Sequence, residues 1–173
     1  MTTGDRIEHT SFVVERELST SPRHAFRFWS EGELKARWSG CHPDWVVLED
    51  RFDFWAGGTE AKRWRTPEGD EQTFHAHYLD LVPERRIIYA YEMSFAGTRL
   101  SASLVTVIFE AVGGKTRMTF TEQVAILAGG SAARDQRIVG TEEGMDRFVE
   151  VVESDSATEP RDLLASAPGH LLQ

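Results

Sequence analysis

Two histidines lie two positions apart in the segment TFHAHYLDL, residues 73–81. The segment alternates in polarity as a β-strand does, and residues i and i+2 of a strand point to the same side of a sheet. His75 and His77 are therefore expected to share one face. A pair of this kind suits a metal site, an acid–base site or the lining of a ligand pocket. The choice depends on which face of the sheet the pair occupies.

A period close to two continues on both sides of the histidines and predicts an antiparallel sheet. Tight glycine- and proline-containing turns separate the strand-like runs, which indicates direct hairpin connections. A first strand is predicted at residues 7–18. Six more follow at 44–54, 59–65, 72–82, 86–94, 100–111 and 115–124. In the predicted strand at 59–65, the basic and aromatic stretch AKRWR (61–65) is predicted to be a solvated strand face.

Helical signals frame the predicted sheet. Ser21 and Pro22 are typical of an N-cap and a first helical position, and a second short helix is predicted in EGELKARW. Residues 125–133 are predicted to be a loop. The period becomes helical again over 135–153, where one apolar stripe forms; its members are Met145, Phe148, Val149 and Val152. The sequence therefore predicts an α+β fold, with a seven-stranded antiparallel sheet curved around a long C-terminal helix and two short helices after the first strand.

Composition restricts the possible partners. The net charge of −9 argues against nucleic acid or an anionic membrane, because both require a basic surface. No apolar run approaches the ~20 residues of a membrane-spanning helix, and no signal peptide is evident at the start. A lone cysteine, Cys41, provides neither a disulfide nor a cysteine-based zinc site. We therefore expect a cytoplasmic protein without a cofactor, with one domain over 1–153 and a flexible tail over 154–173.

Hairpin geometry allows the faces of the sheet to be assigned. If Leu81 pairs with Ile87 across the turn at 82–86, then His77 lies beside Tyr91. The turn at 113–114 likewise pairs Val105 with Glu122. One face then becomes strongly apolar and must be the concave, buried one. It carries Leu79, Leu81, Ile87, Tyr89, Met93, Val105, Val107, Phe109, Met118 and Phe120.

In this register His75, His77, Tyr91 and Glu122 point into the interior. Metal coordination by the two histidines with Glu122 uses acceptable ligand types, but nothing in the sequence forces a third ligand into place, and we expect no metal. His77 and Glu122 could instead act as an acid–base pair next to a carbonyl. The favoured interpretation is a pocket lined by polar and apolar groups. Its predicted residues are Trp38, His75, His77, Tyr89, Tyr91, Val105, Phe120, Glu122, Met145 and Phe148.

Several local strings resemble one known superfamily. They are SPRHAFRFWSEGELKARW, DFWAGG, DLVPERRIIYAYEM, SASLVTVIFEAVGGKTRMTFTEQ and RIVGTEEGMDRFVEVV, in this order. Together they resemble the START-like or SRPBCC superfamily, also known as helix-grip or birch-pollen-allergen-like, and within it the homologues of the heat-shock-protein-90 ATPase activator. The resemblance implies a helix-grip fold with a cavity between the sheet and the last helix. Two departures, Ser39 and Thr141 or Glu142 where many members carry aromatics, imply a more open cavity.

Three functions stay open on this basis. The first is binding of a small, largely hydrophobic molecule, the second is a polyketide cyclase- or dehydratase-like enzyme that uses His77 and Glu122, and the third is a stress-response regulator of a chaperone ATPase. A homodimer is also possible, because the opposite face of the sheet carries an apolar stripe. Its members are Ile88, Ala90, Leu104 and Ile108.

Overall fold

The computed structural model describes residues 6–156. Its elements, in chain order, are β1 (Glu8–Leu18), α1 (Pro22–Ser30), α2 (Gly32–Ala36), β2 (Val46–Phe52), β3 (Thr59–Arg65), β4 (Glu71–Val82), β5 (Arg86–Phe95), β6 (Thr98–Val112), β7 (Lys115–Ile126) and α3 (Gly130–Ser156). The seven strands form one antiparallel sheet in the order β1-β7-β6-β5-β4-β3-β2. The predicted α+β helix-grip architecture is confirmed.

The start and end of α3 differ from the prediction. Residues 125–133 were expected to form a loop, but β7 continues to Ile126 and α3 already begins at Gly130. Gly129 and Gly130 have φ values of 87° and 58°, which lets the chain reverse within a few residues. At its other end α3 continues through Ser156, beyond the predicted domain boundary at 153. The rest of the predicted tail lies outside the described residues.

The core is centred on Trp29 of α1. Its ring lies 4.8 Å from that of Trp38, 5.8 Å from that of Phe148 on α3 and 6.4 Å from that of Phe120 on the sheet. Ser21 caps α1 through its hydroxyl, which accepts a hydrogen bond from the His24 amide. The predicted stripe of α3 is confirmed, since Met145, Phe148 and Val152 are buried and Val149 packs against the same cluster. Trp29 therefore joins both helical layers to the sheet.

A β-bulge at Leu79 sets the register of β4 against β5. Leu81 pairs with Ile87 as predicted, but Tyr78 pairs with Tyr89, so that Leu79 is an additional residue between them. Every β4 residue before the bulge therefore points to the face opposite the one predicted. Leu79 itself is 55% exposed, whereas it was predicted to lie on the buried face.

The loop between β2 and β3 holds the backbone of β4 at this bulge. The Gly57 amide donates a hydrogen bond to the Tyr78 carbonyl at 2.8 Å, and the Tyr78 amide donates one to the Gly58 carbonyl at 2.9 Å. Gly58 is required for this approach, because a Cβ atom there would lie 2.2 Å from the Asp53 carbonyl oxygen. The bulge and this loop therefore form one structural unit.

The convex face carries less exposed apolar surface than the sequence suggested. Of the four predicted stripe residues, Leu104 is exposed, whereas Ile88, Ala90 and Ile108 are half-buried. The homodimer stays a prediction. Within residues 6–156, no helix is both long enough and apolar enough to cross a membrane.

We predict opposite effects for two glycine-to-alanine substitutions. Gly58→Ala should lower the free energy of unfolding by about 1–3 kcal/mol, since its methyl group collides with backbone. Gly140→Ala should raise it by about 0.4–1 kcal/mol, because this glycine lies within α3 with open space around it. Urea unfolding followed by circular dichroism measures both. An unchanged midpoint for Gly58→Ala would contradict the close approach of the loop.

Candidate functional site

The two histidines do not enter the interior, and their predicted orientation is wrong. Because of the bulge, His75 pairs with Glu92 and His77 pairs with Ala90, and both imidazoles are exposed on the convex face. The His75 Nδ1 atom lies 3.8 Å from a Glu92 carboxylate oxygen. The physical reason is desolvation, because the predicted register would bury two imidazoles, whereas the bulge buries Ala76 and Tyr78 and half-buries Phe74 instead.

This geometry separates His77 from Glu122. Glu122 is buried on the concave side of β7, and the strands β5 and β6 lie between β4 and β7. With strands spaced about 4.8 Å apart, the two backbones are about 14 Å apart, and the side chains point to opposite faces. They cannot share a proton or a metal ion. The acid–base pair and the three-ligand metal site considered from the sequence are therefore wrong.

A cavity of about 160 Å³ lies between the sheet and the α1–α2 region. Helix α1 contributes Trp29, and α2 with the residues after it contributes Lys35, Trp38 and Ser39. The opposite wall consists of alternate residues from the concave faces of β3, β4 and β5. The lining residues are Trp29, Lys35, Trp38, Ser39, Glu60, Lys62, Trp64, Phe74 and Tyr89.

Three polar side chains form a buried network at this cavity. The Lys35 ammonium group donates to the Glu60 carboxylate and, at 3.0 Å, to the Tyr78 hydroxyl oxygen. The Tyr78 hydroxyl donates to the same Glu60 oxygen, Oε2, at 2.6 Å. Lys35 also lies over the ring of Phe52, 4.7 Å from its centroid. The network anchors α2 to the sheet, because Lys35 comes from the helix and the other two residues come from strands.

Burial and charge shift the pKa values in this network. The pKa of Lys35 is lowered, mainly by desolvation, although the neighbouring Glu60 carboxylate opposes this shift. Desolvation raises the pKa of Glu60, but Lys35, Tyr78 and Lys62 together outweigh it, so that this pKa is lowered. Burial and the adjacent carboxylate raise the pKa of Tyr78. Glu60 is therefore the stable anion of the cavity and Tyr78 stays protonated.

Two further lining residues retain unused hydrogen-bonding capacity. The Lys62 ammonium group lies 3.5 Å from Glu60 and 3.8 Å from Asp50, and both distances exceed a good N–H···O hydrogen bond. The Tyr89 side chain is buried, and its hydroxyl makes no hydrogen bond with any residue in the range 6–156. The desolvated environment raises the pKa of Tyr89 well above its ordinary value, so that its hydroxyl is a donor.

Glu122 belongs to a second buried network, under α3. Its Oε1 atom accepts hydrogen bonds from Tyr91 and Ser103, each at 2.7 Å, and from Arg137 at 2.9 Å. Arg137 also donates to the Ser101 hydroxyl at 2.7 Å. Glu122 Oε2 has no hydrogen-bond partner in the described part of the chain. This network joins α3 to β5, β6 and β7, and Tyr91 and Glu122, both predicted to point into the interior, are in direct contact.

The predicted pocket thus overlaps the observed cavity in part. Trp38 and Tyr89 line it. The remaining predicted interior residues are buried on the same side of the sheet but do not line it, and their ligand contacts stay predictions; they are Tyr91, Val105, Phe120, Glu122, Met145 and Phe148. Met145 and Phe148 were expected to form the opposite wall, but α1 and α2 lie there instead, because Trp29 and Trp38 pack between Phe148 and the sheet.

Sequence reasoning missed the charged residues of β3. Glu60, Lys62 and Trp64 occupy alternate positions and share the cavity face, although AKRWR was predicted to be solvated. The alternation of residue types could have indicated this face, because Ala61, Arg63 and Arg65 lie on the opposite face of β3. Lys62 concealed it, since lysine is rarely buried without a partner. The partner, Glu60, lay one residue before the stretch.

We predict that Glu60 contributes to the acid sensitivity of folding. Its stabilising effect is fully present above its ordinary pKa of 4.5 and is lost as the pH falls through the lowered folded pKa. Glu60→Gln should cost about 3–5 kcal/mol at pH 7, because it leaves buried charge unpaired. The difference from wild type should shrink between pH 5 and pH 3, as measured by urea unfolding.

Glu17→Gln provides the matched control. The hydrogen bond and charge of Lys115 lower the pKa of Glu17 as well, but this ion pair is exposed on the surface. Its effect on unfolding should be smaller and should disappear in about 0.5 M salt, whereas the effect of Glu60→Gln should persist. Equal salt sensitivity of both variants would contradict the buried position of Glu60.

Comparison with known proteins agrees with this architecture. The family described as Activator of Hsp90 ATPase homolog 1-like protein matches residues 19–153. No curated protein matches the chain. Among solved structures, a protein from Rhizobium leguminosarum is 45% identical, with a TM-score of 0.79 over 86% of this chain and 97% of that one. A protein from Rhizobium loti is 32% identical, with a TM-score of 0.77 over 84% and 99% of the two chains.

A more distant structure shares the fold alone. A Staphylococcus aureus protein of unknown function is 17% identical, with a TM-score of 0.71 over 88% of this chain and 98% of that one. The helix-grip architecture is that of a family of small-ligand-binding domains. With most of its length matched by the family and by two similar structures, the chain belongs to the Hsp90 ATPase activator homologue family of the SRPBCC superfamily.

Proposed function

We propose that this protein binds a small, largely hydrophobic molecule in the cavity between the α1–α2 region and the sheet. The observation that carries the proposal is a cavity of about 160 Å³ with five aromatic side chains in its lining. Small-molecule sites are typically concave and lined mainly by apolar and aromatic side chains, with a few polar groups. A partly open cavity with this lining leaves aromatic surface that a ligand would cover.

The size of the cavity defines the size of the ligand. An engineered apolar cavity of about 150 Å³ in another protein binds benzene. A space of this volume therefore suits one aromatic ring with a short substituent. The rings of Trp29, Trp38 and Tyr89 offer both faces and edges for such contacts.

The position of Ser39 supports access to the cavity. Its small side chain lines the cavity and donates its hydroxyl to the Lys35 carbonyl at 2.8 Å. A side chain of this size leaves space beside Trp38 for a ligand.

The two alternative functions have less support. The cyclase-like alternative depended on His77 and Glu122, which lie on opposite faces of the sheet. The chaperone-regulator alternative rests on the family description, and no surface feature of residues 6–156 argues for it. Ligand binding is the function to which the geometry of the cavity leads.

We predict that toluene, as a neutral aromatic probe, stabilises the protein. At about 100 times its dissociation constant, a ligand specific for the native state adds about 2.7 kcal/mol, which corresponds to a rise in Tm of about 5–10 °C. Differential scanning calorimetry measures the shift. Native mass spectrometry of freshly purified protein provides an independent search for a bound small molecule.

Two variants locate the binding. Ser39→Phe should place a ring in the cavity and abolish the toluene shift while the fold is retained. His77→Ala changes an exposed side chain on the convex face and should leave the shift intact. A shift that survives Ser39→Phe, or no shift in the wild-type protein with either toluene or indole, would overturn the proposal.

A further inference from the structure

We infer that the ligand of this cavity carries an anionic oxygen group, such as a carboxylate, that is bound by Lys62 and Tyr89. The inference rests on the proposed function and adds the chemical class of the ligand. The cavity lining contains hydrogen-bond donors that lack acceptors. The one carboxylate in the lining, Glu60, already accepts hydrogen bonds from Lys35 and Tyr78.

Lys62 supplies the charge. It projects from β3 into the cavity lining, and its side chain is only 10% exposed. Its two anionic neighbours are 3.5 and 3.8 Å away, so that neither makes a close hydrogen bond with the ammonium group. The more distant one, Asp50, has a half-exposed side chain, so that solvent weakens its effect. A ligand oxygen at hydrogen-bond distance would satisfy Lys62 better than either neighbour does.

Tyr89 supplies a second donor. Its side chain is 8% exposed and lines the same cavity, and its hydroxyl has no acceptor among the described residues. A tyrosine hydroxyl that has no partner and belongs to a cavity-lining side chain can donate a hydrogen bond to a ligand oxygen. The neighbouring tyrosines differ, because the hydroxyls of Tyr78 and Tyr91 both donate to carboxylates. Tyr89 is therefore the tyrosine whose hydroxyl is available to a ligand.

The carboxylate of Glu60 does not make the cavity favour a cationic ligand. Its Oε2 atom accepts hydrogen bonds from both Lys35 and Tyr78, which compensate its charge. A cationic ligand would have to compete with Lys35 for that carboxylate and would repel Lys62. The lining contains two ammonium groups and one carboxylate, and the second carboxylate near Lys62, that of Asp50, is half-exposed to solvent, so that the lining itself favours an anion.

Benzoate and benzamide test the inference, because they have nearly the same shape and differ in charge. Isothermal titration calorimetry of the full chain should show benzoate binding at least about tenfold more tightly than benzamide, as a charge-assisted hydrogen bond predicts. Lys62→Met removes the charge but keeps the length of the side chain, and it should reduce the ratio to about one. Tyr89→Phe should weaken benzoate about tenfold and benzamide less.

Lys115→Met is the matched control, because Lys115 is an exposed lysine of β7 that pairs with Glu17. It should leave the benzoate-to-benzamide ratio unchanged. Equal binding of the two compounds, or a ratio that survives Lys62→Met, would contradict the inference that the ligand is anionic. Neither result would contradict the proposed binding of a hydrophobic molecule. Absence of binding by benzoate, benzamide and toluene alike would overturn the proposed function together with the inference.

Discussion

The extra residue at Leu79 determines which side chains of β4 enter the interior, and the cavity depends on it. Before the bulge, Phe74 and Tyr78 face inwards, and the two histidines face solvent. The loop at Gly57 and Gly58 satisfies the backbone of Tyr78 from the side of β3, so that the irregular position retains its hydrogen bonds. Without this shift the interior would contain two imidazoles, and Glu60 would lose the hydroxyl that donates to it.

Tyr78, which the bulge turns inwards, completes a buried polar network with Lys35 and Glu60. This network and a second one each join a helix to the sheet. Lys35 connects α2 to Glu60, and Arg137 connects α3 to Glu122. A buried ion pair adds little net stability when its desolvation is counted, but removing one partner is costly. Such pairs therefore favour one arrangement of helix against sheet over others in which a charge would be unpaired. The pairing of Lys35 with Glu60 holds α2 over the sheet, and the cavity lies beside this pair.

The cavity is a consequence of the same arrangement. The indoles of Trp29 and Trp38 are supported from behind by Phe148 of α3, which prevents the helices from collapsing onto the sheet. Ser39 is too small to occupy the remaining volume, and the charged ends of Lys35, Glu60 and Lys62 cannot fill it at acceptable cost. The result is an aromatic space with polar groups on one side, which is the usual composition of a small-molecule site.

The sequence by itself determined the element order, the antiparallel pairing and the pattern of the β5–β6–β7 faces, because these follow from local periodicity and from short turns. The pairings of Val105 with Glu122 and of Leu81 with Ile87 were predictable for that reason. Trp38 and Tyr89 were predictable as interior aromatics. The tertiary structure decided the orientation of His75 and His77, since one bulged residue inverts a strand and the adjacent apolar pair Tyr78–Leu79 does not by itself show on which side the extra residue lies. It also decided the burial of Lys35 and Lys62, because a lysine is buried only where distant parts of the chain bring a carboxylate to it.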